Sequence, residues 1–292
     1  RAAAAPRTNS TSSTTATHTT TVTTTRTATS TSTTLRDPKL LCFTVMRAHV
    51  PEEVALMRTQ LSRGVGLYSC DSWLVLSDVE TWLSPGPPTR LTTTKIDANL
   101  SETGDGITTK GKNSKHFLRA WDKVREVGKP QDFDWVVKVD PDTVFFPRRL
   151  RANLKRRLAR PDKPTFFANC QNEEHPHFLF GAIEVLSRAA VEKFFERGDS
   201  CRAGVHADDM WEERYLSRCL HHLNIDMEVN FDLLKDRHCN REQAMFPCHD
   251  DNVVAFHPLR TPSEYFTCER DATEHERYTR QAKEAKEPKE PK

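Results

Sequence analysis

Phe133-Asp134-Trp135-Val136-Val137-Lys138-Val139-Asp140-Pro141-Asp142-Thr143 is the stretch that decides the fold. Its first half is rich in β-branched and aromatic side chains and predicts a buried strand. The strand runs into Asp-Pro-Asp, a good turn sequence, because Pro pre-sets φ and Asp bonds its own backbone. In open α/β sheets, ligands bind beyond the carboxyl ends of the strands. Two carboxylates placed there, two residues apart, can meet one hard divalent cation, and a nucleotide diphosphate needs such a cation to neutralise its oxygens. Asp-x-Asp alone is a weak signal; the strand in front of it gives it weight.

Working outward, Leu40 to Met46 is a short, mostly apolar run that predicts another buried strand. Pro51-Glu52-Glu53 predicts a helix start, since Pro suits the first turn and acids there favour the dipole. Val54, Met57 and Leu61 share one face of that helix, and Gly64 ends it. Trp73 to Asp78 predicts a second strand, which makes a βαβ unit and implies a parallel sheet. Leu83 to Lys112 is Pro-, Gly- and Thr-rich and reads as loop. Lys115 to Val127 and Ala207 to Leu223 predict helices, and Ser187 caps another that turns Val191, Phe194 and Phe195 inward. Phe166 to Ala168, Phe178 to Phe180 and Val253 to His257 predict short strands.

The two ends differ from this middle. Residues 8–34 are nearly all Thr, Ser and Ala, and Arg280 to Lys292 is Lys, Glu, Pro and Ala. Neither can offset the entropy of ordering its backbone. The expected organisation is a disordered Thr/Ser-rich stem over 1–36, which resembles an O-glycosylated stalk, one α/β domain over 37–272, and a charged disordered tail over 273–292. Asn9-Ser10-Thr11 and Asn99-Leu100-Ser101 match the N-glycosylation pattern.

Net charge is only +2, from 43 basic and 41 acidic residues, so no global field points to nucleic acid or to an anionic membrane. The local run from Arg148 to Leu158 predicts a basic amphipathic helix, with Leu150, Leu154 and Leu158 packed inward and the basic face solvated. The eight cysteines (42, 70, 170, 201, 219, 239, 248 and 268) all lie in the middle domain and lack C-x-x-C spacing. Disulfides in an oxidising compartment are the favoured reading over buried free thiols in a cytosolic protein and over a zinc site, including one at His238-Cys239 and Cys248-His249. No apolar run reaches transmembrane length. The chain opens on Arg1 rather than Met, so this is weak evidence about an anchor.

Trp135 through Phe146, W-V-V-K-V-D-P-D-T-V-F-F, resembles the Asp-x-Asp segment of the fringe-like and core 1 galactosyltransferase-like β1,3-glycosyltransferases, with Pro141 at the tolerant middle position. Phe180-Gly181-Ala182-Ile183-Glu184-Val185-Leu186-Ser187 resembles that family's G-G-A-G-x-x-L-S element, with Phe180 and Ile183 in place of Gly. Ala207-Asp208-Asp209-Met210, leading to Leu216-Ser217-Arg218-Cys219-Leu220, resembles its acidic pair followed by L-G-x-C-L, with extra residues in between. Ala255 to Leu259 resembles its late F-H motif.

The resemblance implies a GT-A-like domain, a mixed and mostly parallel sheet flanked by helices. It implies a Mn²⁺-dependent inverting transferase that moves a hexose or N-acetylhexosamine from a UDP-sugar to a glycan or glycoprotein hydroxyl, in β1,3 linkage. Asp142 and His257 would bind the metal, and Asp140 would contact the nucleotide sugar or reach the metal through water. Gly181 and Ala182 would border the donor. Asp209 would be the general base, with Asp208 as second choice, although Asp209 with Glu212 also fits a helix capping pair. Lys138 and Lys115 stay unassigned, because surface lysines are common, and Trp211 fits a sugar platform as well as core packing. The implied setting is the Golgi or another secretory lumen, as a type II membrane protein. The rivals are a retaining GT-A transferase and a degenerate glycan- or nucleotide-sugar-binding module; a nucleic-acid partner is not expected.

Overall fold

The computed structural model describes residues 36–84, 91–102, 114–173, 175–205, 210–239 and 248–285. The expected stem up to Leu35, the Asn9 tripeptide, the acid pair Asp208-Asp209 and the tail beyond Ala285 lie outside the described residues.

In chain order the elements are β1 (Leu40–Val45), α1 (Pro51–Arg63), β2 (Ser72–Ser77), β3 (Thr94–Lys95), α2 (Ser114–Val127), β4 (Trp135–Val139), β5 (Val144–Phe145) and α3 (Pro147–Arg156). Then follow β6 (Thr165–Ala168), β7 (Ile183–Ser187), α4 (Arg188–Gly204), α5 (Glu212–His222), β8 (Asp226–Val229), β9 (Leu234–Asp236), β10 (Ala255–His257) and α6 (Pro262–Glu284).

A seven-stranded sheet has the order β3-β2-β1-β4-β7-β6-β8. The pairs β2/β3, β1/β2, β1/β4 and β6/β8 are parallel, whereas β7 runs antiparallel to both β4 and β6. The βαβ unit expected from Leu40 to Asp78 is present as β1-α1-β2. All six residues of β1 and all five of β4 are buried. Leu40, Cys42, Trp135 and Val137 face one core, and Leu41, Phe43 and Val136 face another on the opposite side of the sheet. This is the pattern of a sheet covered on both faces. By the same alternation Lys138 falls on the side of Val136, toward α2 and α5, although it is charged.

A second, three-stranded sheet has the order β5-β10-β9, with β10 antiparallel to β5 and parallel to β9. It is entered directly from the Asp140-Thr143 turn, so the same turn ends one sheet and begins the next.

Local chemistry explains three of the helix ends. Gly64 caps α1 in the left-handed region at φ 63°, where a side chain would be strained. Ser187 caps α4 by accepting from the Ala190 N–H, as expected. Thr261 and Glu264 form a reciprocal capping box at the start of α6.

Several expectations are corrected. Phe178 makes only an isolated bridge to Cys170, so Phe178 to Phe180 is not a strand. The 83–112 loop contains β3, which extends the large sheet. The helix expected from Ala207 begins at Glu212 with Trp211 at its cap, so Glu212 is its first helical residue and not the third position of an Asp209 capping box. The domain boundary at 272 falls inside α6, where Ala272 is buried and Glu276 pairs with Arg149. Residues 273–284 are therefore helix rather than tail. From Arg36 onward the described residues form one compact unit.

The basic helix α3 ends at Arg156, and Leu158 lies beyond it at φ 53° with 71% exposure, outside the Leu150/Leu154 stripe. Its basic residues are not simply solvated. The Arg149 guanidinium is buried and donates to the carbonyls of Asp250, Val253 and Ala272. Arg148, Arg151, Lys155 and Arg156 pair with Glu276, Asp71, Asp37 and Asp232.

All eight cysteines are paired: Cys42–Cys70, Cys170–Cys239, Cys201–Cys219 and Cys248–Cys268. This removes Cys239 and Cys248 as zinc ligands. No helix among the described residues is long and apolar enough to cross a membrane.

Candidate active site

The turn after β4 is closed by the Thr143 N–H, which donates to the Asp140 carbonyl at 3.1 Å. The Thr143 hydroxyl and the Asp140 N–H both donate to the Ala182 carbonyl, tying the turn to the start of β7. Gln60 on α1 donates to the Pro141 carbonyl. The Leu259 N–H donates to the Asp142 carbonyl at 2.8 Å.

Register then brings in the histidine. In β10, Phe256 lies opposite Val144 of β5, so the next residue, His257, falls beside the turn. His257 also stands opposite Asp236 of β9. One ligand atom from each of Asp140, Asp142 and His257 lies within 4.8 Å of the others. The resemblance implies Asp142 and His257 as direct metal ligands, with Asp140 as a contact to the nucleotide sugar or, through water, to the metal.

His257 sits between two carboxylates. Its Nδ1 bonds Asp236 Oδ2, and its Nε2 lies 3.4 Å from Asp142 Oδ1. Burial opposes charge on this ring, but Asp142 and then Asp236 outweigh it and push its pKa up to about 10. Asp142 shows the converse. Burial raises its pKa, yet His257 and then Arg260 hold it below the usual carboxylate value. Two carboxylates and one imidazole oriented by a further carboxylate make a donor set suited to a divalent transition metal. Asp236 had no motif to mark it in the sequence.

Behind the turn lies a second group of charges. Lys138 has a side chain only 2% exposed, and its Nζ is 2.8 Å from Asp140, 3.5 Å from Glu212 and 2.6 Å from the Gly181 carbonyl. It also sits 4.7 Å over the Phe117 ring. Burial alone would lower its pKa, but Asp140, Glu212 and Glu184 raise it. The sequence reading of Lys138 as a surface lysine is thus corrected: it is buried, and it holds Asp140 in place.

Neither carboxyl oxygen of Glu184 has a donor among the described residues. Burial and then the charge of Glu212 push its pKa well up, so the protonated acid can donate to Glu212. Burial also raises Glu212, against the pull of Lys138. Glu213 is raised to about 7, by burial first and then by Glu212.

These groups border a cleft of about 410 Å³. Asp140, Asp142, Gly181, Ala182, Glu213 and His257 line it, together with Arg47, Arg260, Trp211 and Phe180. The cleft lies beyond the carboxyl end of β4, the expected place. Glu53, also on its wall, accepts from both the main chain and the side chain of Arg47.

Glu184, Glu212 and Glu213 were missed as site residues. A signal existed: Glu212-Glu213 is an acidic pair that stands closer to Leu216-Ser217-Arg218-Cys219-Leu220 than Asp208-Asp209 does.

No family model matches the chain, and no curated protein matches it. Among solved structures, the chain is similar to a glycosyltransferase involved in the glycosylation of the major capsid of PBCV-1, at 12% identity and a TM-score of 0.48, over 81% of this chain and 100% of that one. It is also similar to the galactosyltransferase LgtC, solved in complex with donor and acceptor sugar analogs, at 10% identity and a TM-score of 0.38, over 86% of this chain and 98% of that one.

Proposed function

We propose that the protein is a metal-dependent, inverting glycosyltransferase of the GT-A type. In this reading it transfers a hexose or N-acetylhexosamine from a UDP-sugar to a glycan or glycoprotein hydroxyl, in β1,3 linkage. The observation that carries the reading is the convergence of Asp140, Asp142 and His257 at the end of a buried strand, inside the cleft.

The donor set suits Mn²⁺, and the Asp236 contact fixes which imidazole nitrogen faces it. A cation bound there would neutralise the oxygens of the departing diphosphate. Asp142 and His257 would hold it directly, and Asp140, tied to Lys138, would contact the nucleotide or reach the cation through water. Gly181 and Ala182 border the donor.

Inversion is one displacement. The acceptor hydroxyl attacks the anomeric carbon, its proton passes to a carboxylate, and the bond to the diphosphate oxygen breaks with its electron pair. Asp209 or Asp208 takes the proton by resemblance. We assign the proton to Glu213 instead, because it lines the cleft and its pKa of about 7 suits a general base. Four disulfides fit an oxidising lumen such as the Golgi, with a type II anchor as part of the same proposal.

One observation favours a second reading, a nucleotide-sugar-binding module without turnover. Phe180 replaces a glycine of the resembled motif, and its ring lies 6.1 Å from that of His257. A thermal-shift screen of UDP-, GDP- and CMP-sugars with and without Mn²⁺, followed by product analysis, separates the two. Mn²⁺-dependent stabilisation by a UDP-sugar with transfer supports the enzyme. The same stabilisation without transfer, across sugars and acceptors, supports the module. Retention at the anomeric centre by NMR would exclude the inverting assignment.

A further inference from the structure

Trp211 differs from its neighbours. Met210 packs on the core, and Tyr215, Leu216 and Cys219 are buried in it. Trp211 is half-buried, belongs to neither sheet-facing core and lines the cleft beside Glu213. Among the described residues no aromatic ring stacks on it, unlike Phe180, whose ring lies near those of His238 and His257. The sequence left open whether this indole is core or platform, and the structure keeps it out of the core.

Phe117, Phe180 and Trp211 line the cleft; the Phe117 ring is covered by the Lys138 ammonium, and Phe180 lies against the two histidines. Phe180 stands on the His257 side, where the diphosphate would lie. Trp211 lines the same cleft from the cap of α5, two residues before the proposed base. A hydroxyl that gives its proton to Glu213 must come within about 3 Å of that carboxylate. Trp211, at the cap of the same helix, is the aromatic side chain that no other ring covers among the described residues and that such a group can meet. Indole offers a flat apolar face with a polar N–H edge. The C–H face of a pyranose matches that surface, and a Ser or Thr side chain is too small to cover it.

We infer that Trp211 is the acceptor platform, against which the pyranose ring carrying the attacking hydroxyl stacks, so that the chain discriminates a sugar acceptor from a polypeptide hydroxyl. This rests on the transferase reading above. Trp211 is a positioning and specificity residue, and it makes no contact with the metal or the nucleotide.

The test uses the whole chain loaded with UDP and Mn²⁺. Saturation-transfer NMR and titration are run with methyl β-galactopyranoside, methyl α-fucopyranoside and methyl N-acetyl-β-glucosaminide, beside a Thr-containing peptide. At least one pyranoside binds the parent protein through one ring face, and the peptide does not. Trp211→Ala weakens that binding by about tenfold or more, Trp211→Phe recovers part of it, and UDP–Mn²⁺ affinity stays within about twofold in both. Unchanged pyranoside affinity in Trp211→Ala overturns the inference. Preference for the peptide, or no pyranoside bound to the UDP–Mn²⁺ form, does the same. If the parent protein fails to bind UDP with Mn²⁺, the transferase reading itself falls, and this inference falls with it.

Discussion

Asp236 reaches His257 from the neighbouring strand and occupies its Nδ1, leaving Nε2 directed at Asp142. A fully buried carboxylate thus orients a ring that faces the cleft, and it would keep the proton on Nδ1 when Nε2 gives up its own to a cation. Asp236→Asn keeps the shape and removes the charge. It should weaken Mn²⁺ binding by about 10–100-fold with little change in circular dichroism. Calorimetric titration of the metal checks this, and full affinity would mean that the pair is only structural.

Lys138 is the cation placed among Asp140, Glu212 and Glu184. Lys138→Met should leave these acids without a partner and destabilise the fold by roughly 3–5 kcal/mol near neutral pH. Because burial already holds Glu184 and Glu212 above the ordinary carboxylate value, and removal of Lys138 raises them further, the loss should shrink as pH falls from neutrality, before ordinary carboxylates protonate. Urea melts of both proteins across that range provide the check. A loss independent of pH would mean that Lys138 matters for packing alone.

Glu213 is raised from the ordinary carboxylate value to about 7. Its folded form therefore keeps a proton that the unfolded form releases. The stability this confers is complete below the unfolded pKa and is lost as pH rises through about 7. As a base it must be ionised, so the transfer rate should rise with pH to an inflection at or below about 7, since a bound cation would lower the value further. Glu213→Gln should abolish transfer while keeping donor binding. Full activity there, with loss in Asp209→Asn, would return the base to Asp209.

The disulfides close loops of 18 to 69 residues. Each should contribute roughly 3–5 kcal/mol through the unfolded chain. Reduction under native conditions should lower the melting temperature by well over about 10 °C. A melting temperature unchanged by a strong reductant, with thiol release shown by titration, would contradict a structural role.

The large sheet was legible because β1, β2 and β4 are continuous apolar runs with a helix signal between the first two. The short strands were harder. Thr94-Lys95 has two residues and no periodicity, and it is held by pairing to β2. Phe178 to Phe180 has strand composition, but only Phe178 makes a β-bridge, to Cys170, while the Asn169 side chain takes up both backbone groups of Phe180. In the site, Asp140, Asp142 and His257 stood in motifs that local sequence reveals. Asp236, Glu184 and Lys138 did not, because their roles depend on burial and register, which arise only when distant strands meet. The tail was misjudged because Glu276 looks solvated in sequence, whereas its partner Arg149 lies 127 residues away.

The most direct test is calorimetric titration of UDP into the parent protein and Asp142→Ala, each with and without Mn²⁺. The account predicts UDP binding to the parent that requires Mn²⁺ and is lost in Asp142→Ala, with the variant still folded. UDP binding that ignores Mn²⁺, or that survives unchanged in Asp142→Ala, would contradict it.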